Sequence, residues 1–196
     1  MSKKNRPSGG PRPHAASEPT AAVDWKPYIF LAALALLVFG RVLTCDFIAF
    51  DDQGYVTENK RIQSGLTWSF IQWAFTSGYA ANWHPLTWFS HMLDYQLYGL
   101  KPWGHHLTNL LFHVANTLLV FALFRRATNT KWPSLIVAMI FAVHPVHVES
   151  VAWVSERKDV LSAFFGLLAL NTYVAYGQTG RMSRYWATMI LFVLGL

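Results

Sequence analysis

Two carboxylates stand side by side in Phe50-Asp51-Asp52-Gln53-Gly54-Tyr55, a few residues beyond an apolar stretch that ends near Leu43. Adjacent carboxylates repel, and beside a low-dielectric surface at least one should hold its proton more tightly. Such a group can take a proton from a hydroxyl as a general base or help hold a divalent cation. A helix cap or a solvated turn is the plainer alternative. A second polar concentration runs from His144-Pro145-Val146-His147-Val148-Glu149-Ser150 to Glu156-Arg157-Lys158-Asp159. His144, His147 and Glu149 are metal-ligand types, although their spacing matches no dedicated zinc motif. Arg157 and Lys158 are types that bind phosphate oxygens, the first through a two-pronged fork and the second as a point charge. Their alternative is pairing with Glu156 and Asp159. His105 and His106 open a third group, in which His106, Asn109, His113 and Asn116 follow at spacings of three, four and three. At about 100° per residue these four lie within about 80° of one another, as one polar stripe on an otherwise apolar helix. The stripe can glue helices together or line a substrate cavity. Acid–base groups and a phosphate clamp meeting at one membrane face suit a lipid-phosphate substrate.

The elements that must position these groups are helices in a bilayer. Of 196 residues, 53 % are hydrophobic and 13 % charged, with a formal net charge of +6. Mean hydropathy is +0.24. This excludes disorder as the main state and argues against a soluble globule. The single Cys45 excludes an internal disulfide and a thiolate metal cluster. The basic excess gives no reason to expect nucleic acid, because Lys3, Lys4, Arg6 and Arg12 lie in a Pro-, Ser- and Ala-rich tail, residues 1–26, expected to lack fixed structure. The expected fold is an all-α, polytopic membrane bundle with spans at about 27–43, 106–124, 133–148 and 159–176 and an incomplete one at 185–196. A span needs roughly 20 residues at about 1.5 Å each. The last segment falls short, so residues 27–196 read as the N-terminal fragment of a longer membrane domain. Pro145 should kink or end the third span. The Lys and Arg positions place the N-terminus in the cytoplasm. The 44–105 and 149–158 loops then share the outer face, where Arg157-Lys158 lies on the wrong side for topology and hints at another task. The 44–105 loop holds five of the nine Trp residues. Two of its segments, Leu66–Phe75 and Leu86–Leu97, are expected to be short helices lying in the interface plane.

Phe50-Asp51-Asp52-Gln53-Gly54-Tyr55-Val56-Thr57-Glu58-Asn59, Asn82-Trp83-His84-Pro85-Leu86-Thr87-Trp88, His105-His106-Leu107-Thr108-Asn109 and His144-Pro145-Val146-His147-Val148-Glu149-Ser150-Val151-Ala152-Trp153, with Glu156-Arg157-Lys158-Asp159, stand in this order along the chain. Over roughly residues 28–190 the sequence resembles the N-terminal membrane portion of bacterial relatives of the tetratricopeptide-repeat O-mannosyltransferases, multi-pass glycosyltransferases of the GT-C type. The resemblance implies a GT-C-like fold with a long first extracytoplasmic loop. It implies transfer of a sugar, mannose in the characterised eukaryotic members, from a polyprenyl-phosphate donor to a Ser or Thr hydroxyl of a protein acceptor. It maps the catalytic base onto Asp52 or Asp51, with a slight preference for Asp52. The donor-binding face falls on Arg157, Lys158, His144, His147 and Glu149, with His105 and His106 at the same end. The expected location is a bacterial inner membrane, with membrane lipids as further partners. The resemblance assigns no cofactor, and a divalent cation is one that the acidic groups could hold. Family members carry many more spans followed by repeats, whereas no 34-residue periodicity occurs here. The competing functions are a transporter segment, with the His/Asn stripe as its permeation path, and a noncatalytic membrane scaffold in which the polar residues pair with one another.

Overall fold

The computed structural model describes residues 24–196 and is all-helical among them. The expected tail, 1–26, lies almost entirely outside the described residues. The first helix, α1 (Lys26–Phe39), opens with Pro27, whose fixed φ and missing N–H suit a helix start, and continues as a tighter turn to Thr44. The short α2 (Lys60–Gln63) is capped by Asn59, whose side chain accepts from the N–H groups of Arg61 and Ile62. Thr67 does the same for α3 (Trp68–Thr76), accepting from Phe70 N at 3.1 Å. Next come α4 (Pro85–Tyr98) and α5 (Pro102–Thr128), both started by proline. They are joined by a tight corner in which Gly99 takes φ +62°, ψ −137°, a region closed to side-chain-bearing residues. The chain ends with α6 (Lys131–Val143), α7 (His147–Ala152), α8 (Arg157–Thr179) and α9 (Met182–Leu194).

Three stretches are long and apolar enough to cross a membrane: Lys26–Thr44, Pro102–Thr128 and Val154–Thr179. The 27 residues of α5 extend about 40 Å. The apolar α6 and α9 have 13 residues each. The third expected span, 133–148, is therefore helical only to Val143. Pro145 cannot donate to the carbonyl of Phe141, and the chain turns there into α7. Helix α5 is the central post, packed against α1, α6, α7 and α8, while α9 packs on α8. Large apolar side chains point outward along the bundle, among them Leu37 at 83 % exposure and Ile190 at 61 %. An outward apolar surface of this extent suits lipid.

The 44–105 segment has a core of its own. Tyr55, Val56, Ile62, Phe70, Ala74, Trp88 and Met92 pack together and against Val154, at the start of the α8 stretch. The five Trp residues divide accordingly: Trp88 is fully buried, Trp73 packs against this core, and Trp68, Trp83 and Trp103 are exposed. Residues 44–105 thus form a packed cap on one end of the bundle, tied down by the aromatic contacts of Trp88 with Tyr55 at 4.9 Å and Trp73 at 5.0 Å between ring centroids.

Candidate active site

The paired carboxylates have different surroundings. Asp52 is fully buried. One carboxylate oxygen accepts from Ile48 N and the other from Ser155 N, both at 2.9 Å, so Asp52 stitches the first turn of the cap to the entrance of α8. Its neighbour Asp51 is half-buried, and no described residue donates to its carboxylate. The Asp52 oxygens are thus engaged by backbone and closed to solvent, whereas Asp51 has no described donor. The chain between them and α2 is a wide turn, Gln53–Thr57, closed by Glu58 N to Gln53 O at 2.8 Å. It turns Tyr55 inward, between His84 at 5.7 Å and Trp88. Burial pushes the Tyr55 phenol up, with Lys158, Asn82, Glu156 and Asp51 as its polar neighbours. Burial, helped by the Lys158 cation, lowers His84 to about 4, so its imidazole is neutral near pH 7.

Arg157 and Lys158 are also separated, since successive helical residues point about 100° apart. Arg157 is fully buried. Its Nε donates to Asn109 Oδ1, one terminal nitrogen donates to Ser90 Oγ at 2.7 Å, and the other donates to Asp94 Oδ2 at 2.7 Å and His105 O at 2.8 Å. Thr108 Oγ1 donates to the second Asp94 oxygen at 2.7 Å. The guanidinium fork expected to grip a phosphate is consumed in tying α4, α5 and α8 together. Lys158 points the other way. It is partly exposed, bonded to Glu156 at 2.7 Å, and lines a cavity of about 460 Å³. The other walls include Asn82, His84, Pro85, Asp159 and Ser162, with the end of α9 closing one side. The Lys158 cation, the Asp159 carboxylate, a neutral imidazole and apolar walls thus face one space next to Tyr55, itself a neighbour of Asp51.

His105 and His106 are buried at the top of α5. His105 pairs through Nε2 with Gly99 O at 3.0 Å, and His106 lies beside Asp46 and Asp52. His144 and Glu149 are exposed and His147 is half-buried. The His147 ring packs on Phe141 at 4.4 Å and on His113 at 5.3 Å, away from the cavity walls. Among the described residues no three His, Cys, Asp or Glu side chains gather to hold a metal ion. The polar stripe of α5 works as glue: Asn109 donates to Trp153 O at 3.0 Å, His113 meets Ala142 O at 3.1 Å, and Asn116 donates to Val160 O at 2.9 Å. The Ala142 carbonyl needs a donor from outside its helix, because the N–H four residues on, at Val146, is taken by His144 Nδ1.

Asp94, Ser90, Tyr55 and His84 escaped the sequence reading. The signal available for Asp94 was its isolation: it is the sole carboxylate between Glu58 and Glu149. A carboxylate amid so many apolar and aromatic residues demands a partner.

No protein-family model matches the chain. No solved structure matches it either. Among curated proteins it is similar to Protein O-mannosyl-transferase Tmtc2 of Drosophila melanogaster, 32 % identical over 182 residues, which is 86 % of this chain and 19 % of that protein. The chain is related to protein O-mannosyl-transferases. Human TMTC2 is 31 % identical over 79 % of the chain, and mouse TMTC4 is 32 % identical over 82 %. The chain spans about a fifth of the length of the first of these relatives.

Proposed function

We propose that this chain is the catalytic-face portion of a membrane glycosyltransferase, which moves a sugar, mannose by analogy with its relatives, from a polyprenyl-phosphate donor to a protein Ser or Thr hydroxyl on the extracytoplasmic face. The observation that carries the reading is its similarity, over most of its length, to proteins named protein O-mannosyl-transferases. The cavity beside Tyr55 adds chemical support. Lys158 and His84 line it, Tyr55 stacks on His84, and Asp51 is among the charges around Tyr55.

In this reading Asp51 takes the acceptor hydroxyl proton, and the oxygen attacks the anomeric carbon with inversion. The bond from that carbon to the phosphate oxygen breaks, and the lipid phosphate leaves. Lys158 neutralises the charge gathering on the phosphate, a task suited to a point charge on a flexible stem. His84, neutral at working pH, and Asn82 offer hydrogen bonds to sugar hydroxyls. Asp52 and Arg157 position this face without touching the substrate: Asp52 anchors the turn that carries Asp51, and Arg157 fixes the first turn of α8, which carries Lys158. His105 belongs with this support, and His106, beside Asp52, braces the same turn. His144, His147 and Glu149, on the adjoining outer turn, are placed to meet the lipid or the acceptor. The membrane is a bacterial inner membrane, with the N-terminus in the cytoplasm.

The test is sugar transfer in membranes from the full reading frame, with radiolabelled polyprenyl-phosphate sugars and a Ser/Thr-rich peptide. Label entering the peptide, with donor KM raised in Lys158→Gln, supports the assignment. No transfer from any donor overturns it in favour of a scaffold, a reading that draws on the fully paired Asp94–Arg157 cluster.

A further inference from the structure

At the end of the bundle away from the cap, the start of α1 and the ends of α5 and α8 enclose a polar cleft of about 510 Å³, lined by Tyr28, Ala122, Arg125, Arg126, Asn129 and Gln178. Apart from Ala122 its side chains carry hydrogen-bond donors, two of them cationic, and no carboxylate lines it. Arg126 is held in place, donating to Asn171 O at 3.0 Å while its own carbonyl accepts from Gln178 at 2.9 Å. Arg125 is exposed, and its one side-chain hydrogen bond among the described residues is a long 3.4 Å bond to Asn129 O, so most of its fork is uncommitted.

The surroundings have one sign. Lys26, Lys131, Arg181 and Arg184 stand at the same end of the bundle. Asp24 is the sole described carboxylate there, and Lys131 holds it at 2.6 Å. Every other described carboxylate lies between residues 46 and 94 or 149 and 159, at the far end. Helix C-termini normally repel anions. Here part of that effect is offset by capping: Arg125 O accepts from Asn129 N at 3.0 Å and Tyr176 O from Gly180 N at 2.7 Å. Tyr28 belongs to α1, whose outward face is apolar along its length, with Ile29 at 68 %, Leu36 at 43 % and Leu37 at 83 % exposure.

We propose that this cleft is a binding site for an anionic membrane lipid, its phosphate held by Arg125 and Arg126 and its acyl chains lying along the exposed face of α1. A basic cleft between helices at a membrane face suits such a headgroup. The adjoining apolar wall is what selects a lipid over a free phosphate.

The test uses the whole chain in nanodiscs of phosphatidylcholine, with or without phosphatidylglycerol. Lipid retention is read by native mass spectrometry and stability by thermal unfolding. Phosphatidylglycerol should be retained over phosphatidylcholine and raise the unfolding midpoint. Arg125→Ala should weaken retention about fivefold, and Arg125→Ala/Arg126→Ala about thirtyfold, from roughly 1 kcal/mol per cation at the surface. Arg125→Lys should keep most of it. Arg125 anchors little else, so its single variant decides the matter if the double variant folds poorly. Equal retention of both lipids, unchanged retention in Arg125→Ala, or displacement of the lipid by inorganic phosphate would overturn the proposal.

Discussion

Breaking the Asp94–Arg157 pair tests the architecture most sharply. Both side chains are out of contact with water, at 2 % and 0 % exposure, and 2.7 Å apart. Asp94→Asn keeps the shape and deletes the charge, leaving a guanidinium buried with only neutral partners, Asn109, Ser90 and the His105 carbonyl. Removing one partner of a buried pair costs about 3–5 kcal/mol. Coulomb's law at an effective dielectric of about 20 gives about 4 kcal/mol for unit charges about 4 Å apart, in the same range. Arg157→Met should cost a similar amount, since it strands the Asp94 carboxylate. The double variant Asp94→Asn/Arg157→Met removes both charges and should recover most of the loss, because the charge stranded in either single variant is gone. Thermal unfolding of the purified protein in detergent measures all four corners of this cycle. Single variants within about 1 kcal/mol of wild type, or a double variant as unstable as the two singles added together, would refute the reasoning.

Gly104 stands where an added Cβ would run into the Tyr98 ring. Gly104→Ala should therefore destabilise the α4–α5 corner by about 1–3 kcal/mol, and Tyr98→Ala in the same chain should relieve only part of it, since the Tyr98 Cβ also stands 2.6 Å from the added carbon, both read by thermal unfolding. His84 carries a pH prediction. Its folded pKa, about 4, is below its ordinary 6.5, so the unfolded chain binds the extra proton first. Stability from this group is complete above about pH 6.5 and falls as pH drops toward 4; His84→Gln should flatten that part of a stability–pH curve. Asn116→Ala removes the bond to Val160 O between α5 and α8. It should cost about 0.6–1.7 kcal/mol, the range for interhelical bonds in membranes, in the same unfolding assay.

Some of this architecture was legible from local rules. Apolar faces put short helices at Leu66–Phe75 and Leu86–Leu97, and the structure has them at Trp68–Thr76 and Pro85–Tyr98. Pro145 marked the end of α6 because its missing N–H is a local fact. The shared face of His106, Asn109, His113 and Asn116 followed from spacing alone, and all four are buried. Their partners were not legible, since Trp153, Ala142 and Val160 contribute only backbone carbonyls, which leave no trace in side-chain chemistry. The roles of Arg157 and Lys158 merged for a related reason. Neighbours in sequence share a task only if they share a direction, and the partner that fixes Arg157 stands 63 residues away. The same holds for Asp51 and Asp52, which a single peptide unit turns toward solvent and toward Ser155 N.

The central claim concerns Asp51, and transfer in membranes by Asp51→Asn measures it directly. Loss of a general base should lower sugar transfer by about 10²–10⁴-fold, with the unfolding midpoint unchanged because no described residue donates to that carboxylate. Asp52→Asn, in contrast, should lower the midpoint, since its amide nitrogen cannot accept from backbone N–H. Wild-type transfer rates in a folded Asp51→Asn protein would contradict the account.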